Sequence, residues 1–310
     1  MLKQLVNECL LTLDITTEGP LLVKSGHATA HGADMTPVLT YRNGQEQVFL
    51  PGSSLKGVFR SHLEKVIRTL NKPAVCVPYD KTFCGDRLQR KKKNLRANEE
   101  IANWQAYQES CPACRLFGST FFTGRLAIDD AYLDLPEGAI VEQYTEHRDG
   151  VAIDRFSGGA AGKAKFDMEV VRAGVTFSTE LYLRNFENWQ LGGLLLLVQD
   201  LEDALLRIGS GRSRGLGKVR GHVEQVTIQY LQPLVKKKKA TEVWGLGKFP
   251  EVDTRYGATP DDTLTLTDAP EATPHGIRSK QIFQEESLAT LKEHALRSFV
   301  TRIQAWPPLA

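Results

Sequence analysis

The chain has 310 residues, 41% hydrophobic and 25% charged, enough to bury a sizeable core as one large domain with insertions or as a domain with an extension. A net charge of +2 does not by itself demand a polyanionic partner, but residues 251–310 hold nine acids and six bases, which leaves +5 on the first 250 (33 bases minus 28 acids). Asn7, Glu8 and Asp14 interrupt the apolar N-terminal run, Leu194–Val198 is far too short to span a bilayer, and the five cysteines are unevenly spaced; secreted disulfide scaffolds and membrane spans are excluded, and a soluble cytoplasmic protein is expected.

Residues 8–16 alternate apolar with polar and read as a half-buried strand. Residues 20–50 lack a helical period and carry Gly26, Gly32, Pro37 and the turn pair Asn43–Gly44, a loop with some strand in it. Pro51-Gly-Ser-Ser then opens a helix, with Leu55, Val58, Phe59, Leu63, Val66, Ile67 and Leu70 on one stripe. A polar insertion fills 72–124, a strand resumes at 125–133, and 141–170 is rich in glycine and charge. A strand at 175–183, a helix at 191–208 and a strand at 219–230 complete the order β-α-β-β-α-β, an α+β, ferredoxin-like (RRM-like) core with long insertions. Residues 231–310 form a C-terminal extension, partly flexible, with a charge run at Lys236–Lys239 and a terminal helix within 281–305.

Five stretches carry candidate chemistry. Gly209-Ser-Gly-Arg-Ser-Arg-Gly-Leu-Gly-Lys218 fails the ATPase phosphate loop, because five residues separate Gly211 from Gly217 and Val219 follows the lysine. Arg214 stands at the third glycine position of the dinucleotide pattern, so that reading fails too. What remains is a helix cap and turn whose amides, with Arg212, Arg214 and Lys218, can approach an RNA backbone. Lys56 and Arg60 occupy the first two turns of the first helix, where cations are mildly unfavourable unless an anion binds. Cys111-Pro-Ala-Cys114, with Cys76 and Cys84 upstream, supplies four thiolates for a tetrahedral zinc; His62 is a possible substitute for one of them. Between the pairs, six of the ten residues Arg87–Arg96 are basic, a solvated run or a footprint for phosphates. Finally, His27-Ala-Thr-Ala-His31-Gly-Ala-Asp34 offers imidazoles for metal-free acid–base cleavage, or a carboxylate for a divalent metal at a scissile phosphate.

Leu50–Arg60, then Gly150–Arg155 with Phe166-Asp167 and Glu169–Val171, then Gly209–Lys218 resemble, in this order, three parts of one family. They are similar to the phosphate-contacting helix, thumb hairpin and glycine-rich loop of the RAMP (repeat-associated mysterious protein) superfamily, specifically the backbone subunits of type III CRISPR effector complexes. The resemblance covers residues 8–230. It implies a subunit that polymerises along guide RNA (crRNA) beside other complex subunits, with a thumb that displaces one base per repeat. It also implies an endoribonuclease acting in antiviral defence, with Asp34 and Mg²⁺ or another divalent cation cleaving complementary target RNA through its own 2′-hydroxyl. Arg155, Phe156, Lys163 and Lys165 of the thumb join the RNA contacts, Phe156 by stacking on a base. Three other readings stay open: a non-catalytic guide-binding scaffold, a metal-free guide-processing nuclease using His27 or His31, and a zinc-stabilised module without RNA.

Overall fold

A computed structural model describes residues 4–25, 33–96, 99–136, 138–250, 252 and 254–309, with the backbone alone at 163 and 164. The chain folds as α+β, a large antiparallel sheet with helices on one face. Strand β1 (Asn7–Thr17) lies in the middle of the sheet, and Cys9, Leu11, Leu13 and Ile15 are buried on the helix side. Asn43 and Gly44, both at positive φ, turn β2 (Leu39–Arg42) into β3 (Gln45–Leu50), a two-residue hairpin favoured by this residue pair.

Helix α1 (Gly52–Leu70) buries Leu55, Phe59, Leu63 and Ile67, the stripe read from the sequence. Its first residue must be glycine: a Cβ at Gly52 would lie 2.3 Å from the Ile128 carbonyl oxygen. The insertion contains α2 (Cys84–Lys93), α3 (Asn103–Gln108), α4 (Pro112–Phe117) and a minimal hairpin of β4 (Gly118–Ser119) and β5 (Phe122–Thr123). The strand expected at 125–133 is two strands, β6 (Leu126–Ile128) and β7 (Ala131–Leu133), because Asp129 and Asp130 swing over the start of α1. There the Asp130 carboxylate accepts the Gly52 amide at 2.7 Å.

Strands β8 (Thr145–Ile153) and β9 (Ala160–Val171) pair with each other as a projecting hairpin, its base tied by single bridges from Val171 to Leu21 and from Met168 to Met35. Strand β10 (Thr176–Arg184) returns beside β1, and α5 (Asn188–Glu202) crosses the sheet. This helix ends six residues earlier than its apolar pattern suggests, since Asp203 caps it and Ala204 takes a positive φ. Strands β11 (Val219–His222) and β12 (Gln225–Leu231) both lie against β1, so the order across the middle is β12–β1–β10–β7, with β6 also beside β10.

The segment after Tyr230 is built into this core. Beyond the small β13 (Glu242–Trp244) and β14 (Thr263–Thr265) pair, β15 (Thr273–His275) and β16 (Arg278–Gln284) extend the sheet from β12. Helix α6 (Glu285–Gln304) lies on α5 at Gly192, where a Cβ would come within 2.0 Å of the Ala295 carbonyl oxygen. Helix α5 is therefore covered on both sides, which explains why it is apolar nearly all round.

Candidate nucleic-acid interface and cysteine centre

The glycine-rich turn is fastened to the segment that follows β1. Ser210 donates its amide to the Leu22 carbonyl at 2.7 Å, and Gly217 donates to Pro20 at 2.8 Å. Gly209, Gly211, Gly215 and Gly217 all have positive φ, and a Cβ at Gly217 would meet the Ile208 carbonyl oxygen at 2.1 Å. No side chain but hydrogen fits there, so the turn presents backbone together with the exposed Arg212 and Arg214. Lys218 does not share that freedom: with Arg220 it grips Glu18, at 2.9 and 2.5 Å, and Lys218 and Arg220 hold the Glu18 carboxyl below its usual range.

This turn separates two hollows. One, about 350 Å³, runs to α1 and is lined by Lys24, Ser54, Gly57, Ser61, Ser210 and Arg212. The other, about 280 Å³, runs to the base of the β8–β9 hairpin between Met35, Arg148, Phe166, Met168 and Arg214. Ser210 borders both. A helical period puts Ser54, Gly57 and Ser61 on one face of α1 and Lys56 and Arg60 on another. Lys56 and Arg60 accordingly line a third hollow of about 440 Å³ against the cysteine insertion, away from the glycine-rich turn.

Arg60 is also engaged. It pairs with Glu64 at 2.9 Å and donates to the Gly118 carbonyl at 3.0 Å and to Cys114 Sγ at 3.1 Å. Partial burial and the Arg60 charge lower the Lys56 pKa, yet no acidic residue stands in the first turn of α1. The anion expected at this helix start is in part supplied by the protein, as Asp130 on the Gly52 amide.

Cys76, Cys84, Cys111 and Cys114 are all buried, with their sulfurs within 4.8 Å of one another. Cys76 lies 3.8 Å from Cys114 and 3.6 Å from Cys111. Tetrahedral metal–sulfur bonds of about 2.3 Å place sulfurs about 3.8 Å apart, so the set fits a zinc ion. The surroundings suit thiolates: the Cys111 amide donates to Cys84 Sγ, the Cys114 amide to Cys111 Sγ, and Arg60 to Cys114. Bonds from the Cys111, Cys114 and Cys84 thiols pull Cys76 far down, and those to Cys111, Cys76 and Cys84 push Cys114 far up. Sulfurs this close cannot all ionise unless a cation joins them. Pro112 takes the first position of α4, where no amide donor is needed. His62 is outside the set, its Nε2 lying 2.6 Å from Asp200 Oδ2 on α5.

Residues 87–93 of the basic run lie in helix α2, and two of its lysines are paired: Lys91 with Glu109 at 2.5 Å, Lys92 with Glu100 at 3.6 Å. Arg90 donates to the Lys81 carbonyl at 2.7 Å.

Asp34 is exposed and docked on β9. Its amide donates to Asp167 Oδ1 at 2.9 Å, and the Asp167 amide donates to Asp34 Oδ2 at 3.1 Å. Asp167, the partner not named among the candidates from sequence, could have been suspected only from its place in the Phe166-Asp167 motif. His27 and His31 lie outside the described residues. At the hairpin tip, Asp154 accepts from the Phe156 and Ser157 amides and the Ser157 hydroxyl, leaving Phe156 102% exposed and Arg155 exposed beside it. Phe156 is thus no core aromatic. The tip spans 154–159, so Lys165 falls in strand β9, 3.3 Å from Asp149, and the side chain of Lys163 lies outside the described residues.

No curated protein matches the chain. Among the described residues, no helix is long and apolar enough to cross a membrane. The family model of the RAMP superfamily matches residues 14–220, a span that takes in the docked Asp34 segment, α1, the cysteine insertion, the projecting hairpin and the glycine-rich turn; the chain belongs to the RAMP superfamily.

Proposed function

We propose that this RAMP protein is a guide-RNA-binding backbone subunit of a type III CRISPR effector ribonucleoprotein that also cleaves complementary target RNA. The observation that carries the reading is the glycine-rich turn, set between the two hollows with Arg212 and Arg214 exposed on its surface. An RNA backbone laid along it would meet small residues and hydroxyls of α1 on one side and the thumb base on the other. Exposed arginines at such a turn suit phosphates, and aromatic tips such as Phe156 suit unstacked bases. The order β12–β1–β10–β7, flanked by α1 and α5, supports a ferredoxin-like core within residues 1–230, with 231–310 as an extension that completes it.

Asp34 would serve as the cleavage carboxylate. It is an exposed, hard oxygen ligand, and among the described residues no hydrogen bond is made to its Oδ1. A divalent cation held there would neutralise charge at the scissile phosphate. The chain's own contribution is orientation, supplied by the Asp167 amide. Zinc on the four cysteines would be structural, since all are buried.

The test is cleavage of guide-complementary RNA by the assembled complex with Mg²⁺. Asp34→Ala should abolish one or more cuts with RNA binding intact. Unchanged cutting would leave a guide-binding scaffold, and cleavage that persists under chelation would favour the metal-free reading through His27 or His31.

A further inference from the structure

Asp34 and Asp167 hold each other by reciprocal bonds, each amide donating to the other's carboxylate. The contact continues a docked segment: Met35 bridges Met168, the Glu169 amide donates to the Met35 carbonyl at 2.8 Å, and Leu21 pairs with Val171. Beneath it Met35 and Met168 pack on Leu22, Val170 and Leu216. The stretch carrying Asp34 is therefore fixed to the strand that runs without interruption into the thumb.

We infer that Asp167 is a positioning residue for Asp34, and that through it the thumb strand sets where the cleavage carboxylate stands. The inference rests on the proposed role of Asp34. The Asp167 side chain holds the Asp34 backbone, while the Asp167 amide fixes one oxygen of the Asp34 carboxylate; among the described residues no hydrogen bond is made to the other. The thumb strand and the cleavage carboxylate would then move as one body.

Misplacement of a reacting group by about 1 Å can lower a rate on the order of 100-fold. In the guide-loaded assembly containing the full chain, Asp167→Ala should slow single-turnover cleavage by about 10- to 100-fold, with target affinity unchanged and faster hydrogen exchange at the Asp34 amide. Asp167→Asn keeps an oxygen that accepts the Asp34 amide, and should restore most of the rate. Wild-type cleavage by Asp167→Ala, or an Asn variant as impaired as Ala, would overturn the inference; the second result would make the negative charge itself the requirement. Asp34→Ala, run alongside, separates the two levels. If it stops cleavage while Asp167→Ala does not, only the positioning role falls; if Asp34→Ala cuts normally, the cleavage reading falls with it.

Discussion

The cysteine insertion and the thumb hairpin interrupt the same core and are held in opposite ways. The insertion buries four sulfurs, has a small apolar core of Leu88, Ala106, Tyr107 and Phe122, and reaches Tyr256 of the C-terminal segment. Beyond its docked base the thumb has strand pairing and little else: most of β8 is exposed, and Val151, Ile153 and Phe156 face outward. One region is fixed by what it buries. The other is shaped by backbone bonds, and its apolar side chains remain available to a partner. Substitutions in the first should act on stability, and substitutions in the second on binding.

The largest effect is expected at the sulfurs. Cys111→Ser should abolish stoichiometric zinc and lower stability by several kcal/mol, on the order expected when a structural metal is lost. Metal analysis and thermal unfolding would show it. Next comes Gly124→Ala in the insertion, where a Cβ would lie 2.3 Å from the Phe117 carbonyl carbon and 2.5 Å from the Leu116 oxygen. Backbone cannot yield as a side chain can, so a loss of about 1–3 kcal/mol in urea unfolding is expected.

A pH effect should follow at the start of α5. Burial pushes the Asp262 carboxyl up to about 7, while its oxygens accept the Asn188 amide and side chain at 2.9 Å each, with Glu187 and Arg302 near. The unfolded carboxyl titrates at about 4, so the folded state binds the extra proton and loses stability as pH rises from about 4 through 7. Asp262→Asn cannot ionise and keeps only one of the two acceptor oxygens, so the variant should be less stable than wild type at pH 4 and should lack the fall in stability between about pH 4 and 7, as unfolding midpoints across pH would show.

The smallest effects belong to the thumb. At Gly150 a new Cβ would meet the Phe166 ring at 2.3 Å, but that ring can swing outward. Gly150→Ala and Phe156→Ala should each change stability by no more than about 0.5 kcal/mol, while Phe156→Ala weakens RNA binding if a base stacks there. Large destabilisation by either would contradict the contrast drawn between the regions.

Short-range pattern made much of this legible. The alternation of β1, the stripe of α1 and the Asn43–Gly44 turn each announce themselves within the length of a single element or turn. The cysteine set was readable from residue type, although the seven residues between Cys76 and Cys84 gave no hint that α2 begins at the second of them. What escaped depends on distant partners. Asp130 reaching Gly52, Arg60 turning to Cys114, and His62 meeting Asp200 are pairings across 54 to 138 positions, and no local period encodes them. The place of α6 did leave a trace: Gly192-Gly193 followed by Leu194–Val198 makes a helix apolar all round, which needs cover on two sides.

The most direct test of the account is RNA binding by the full chain across a range of salt, comparing wild type with an Arg212→Ala/Arg214→Ala variant. If the glycine-rich turn holds the RNA backbone, the variant should bind about tenfold or more weakly, and its salt slope should fall by roughly 0.7 for each phosphate that is no longer neutralised. Equal affinity and an equal slope would contradict it.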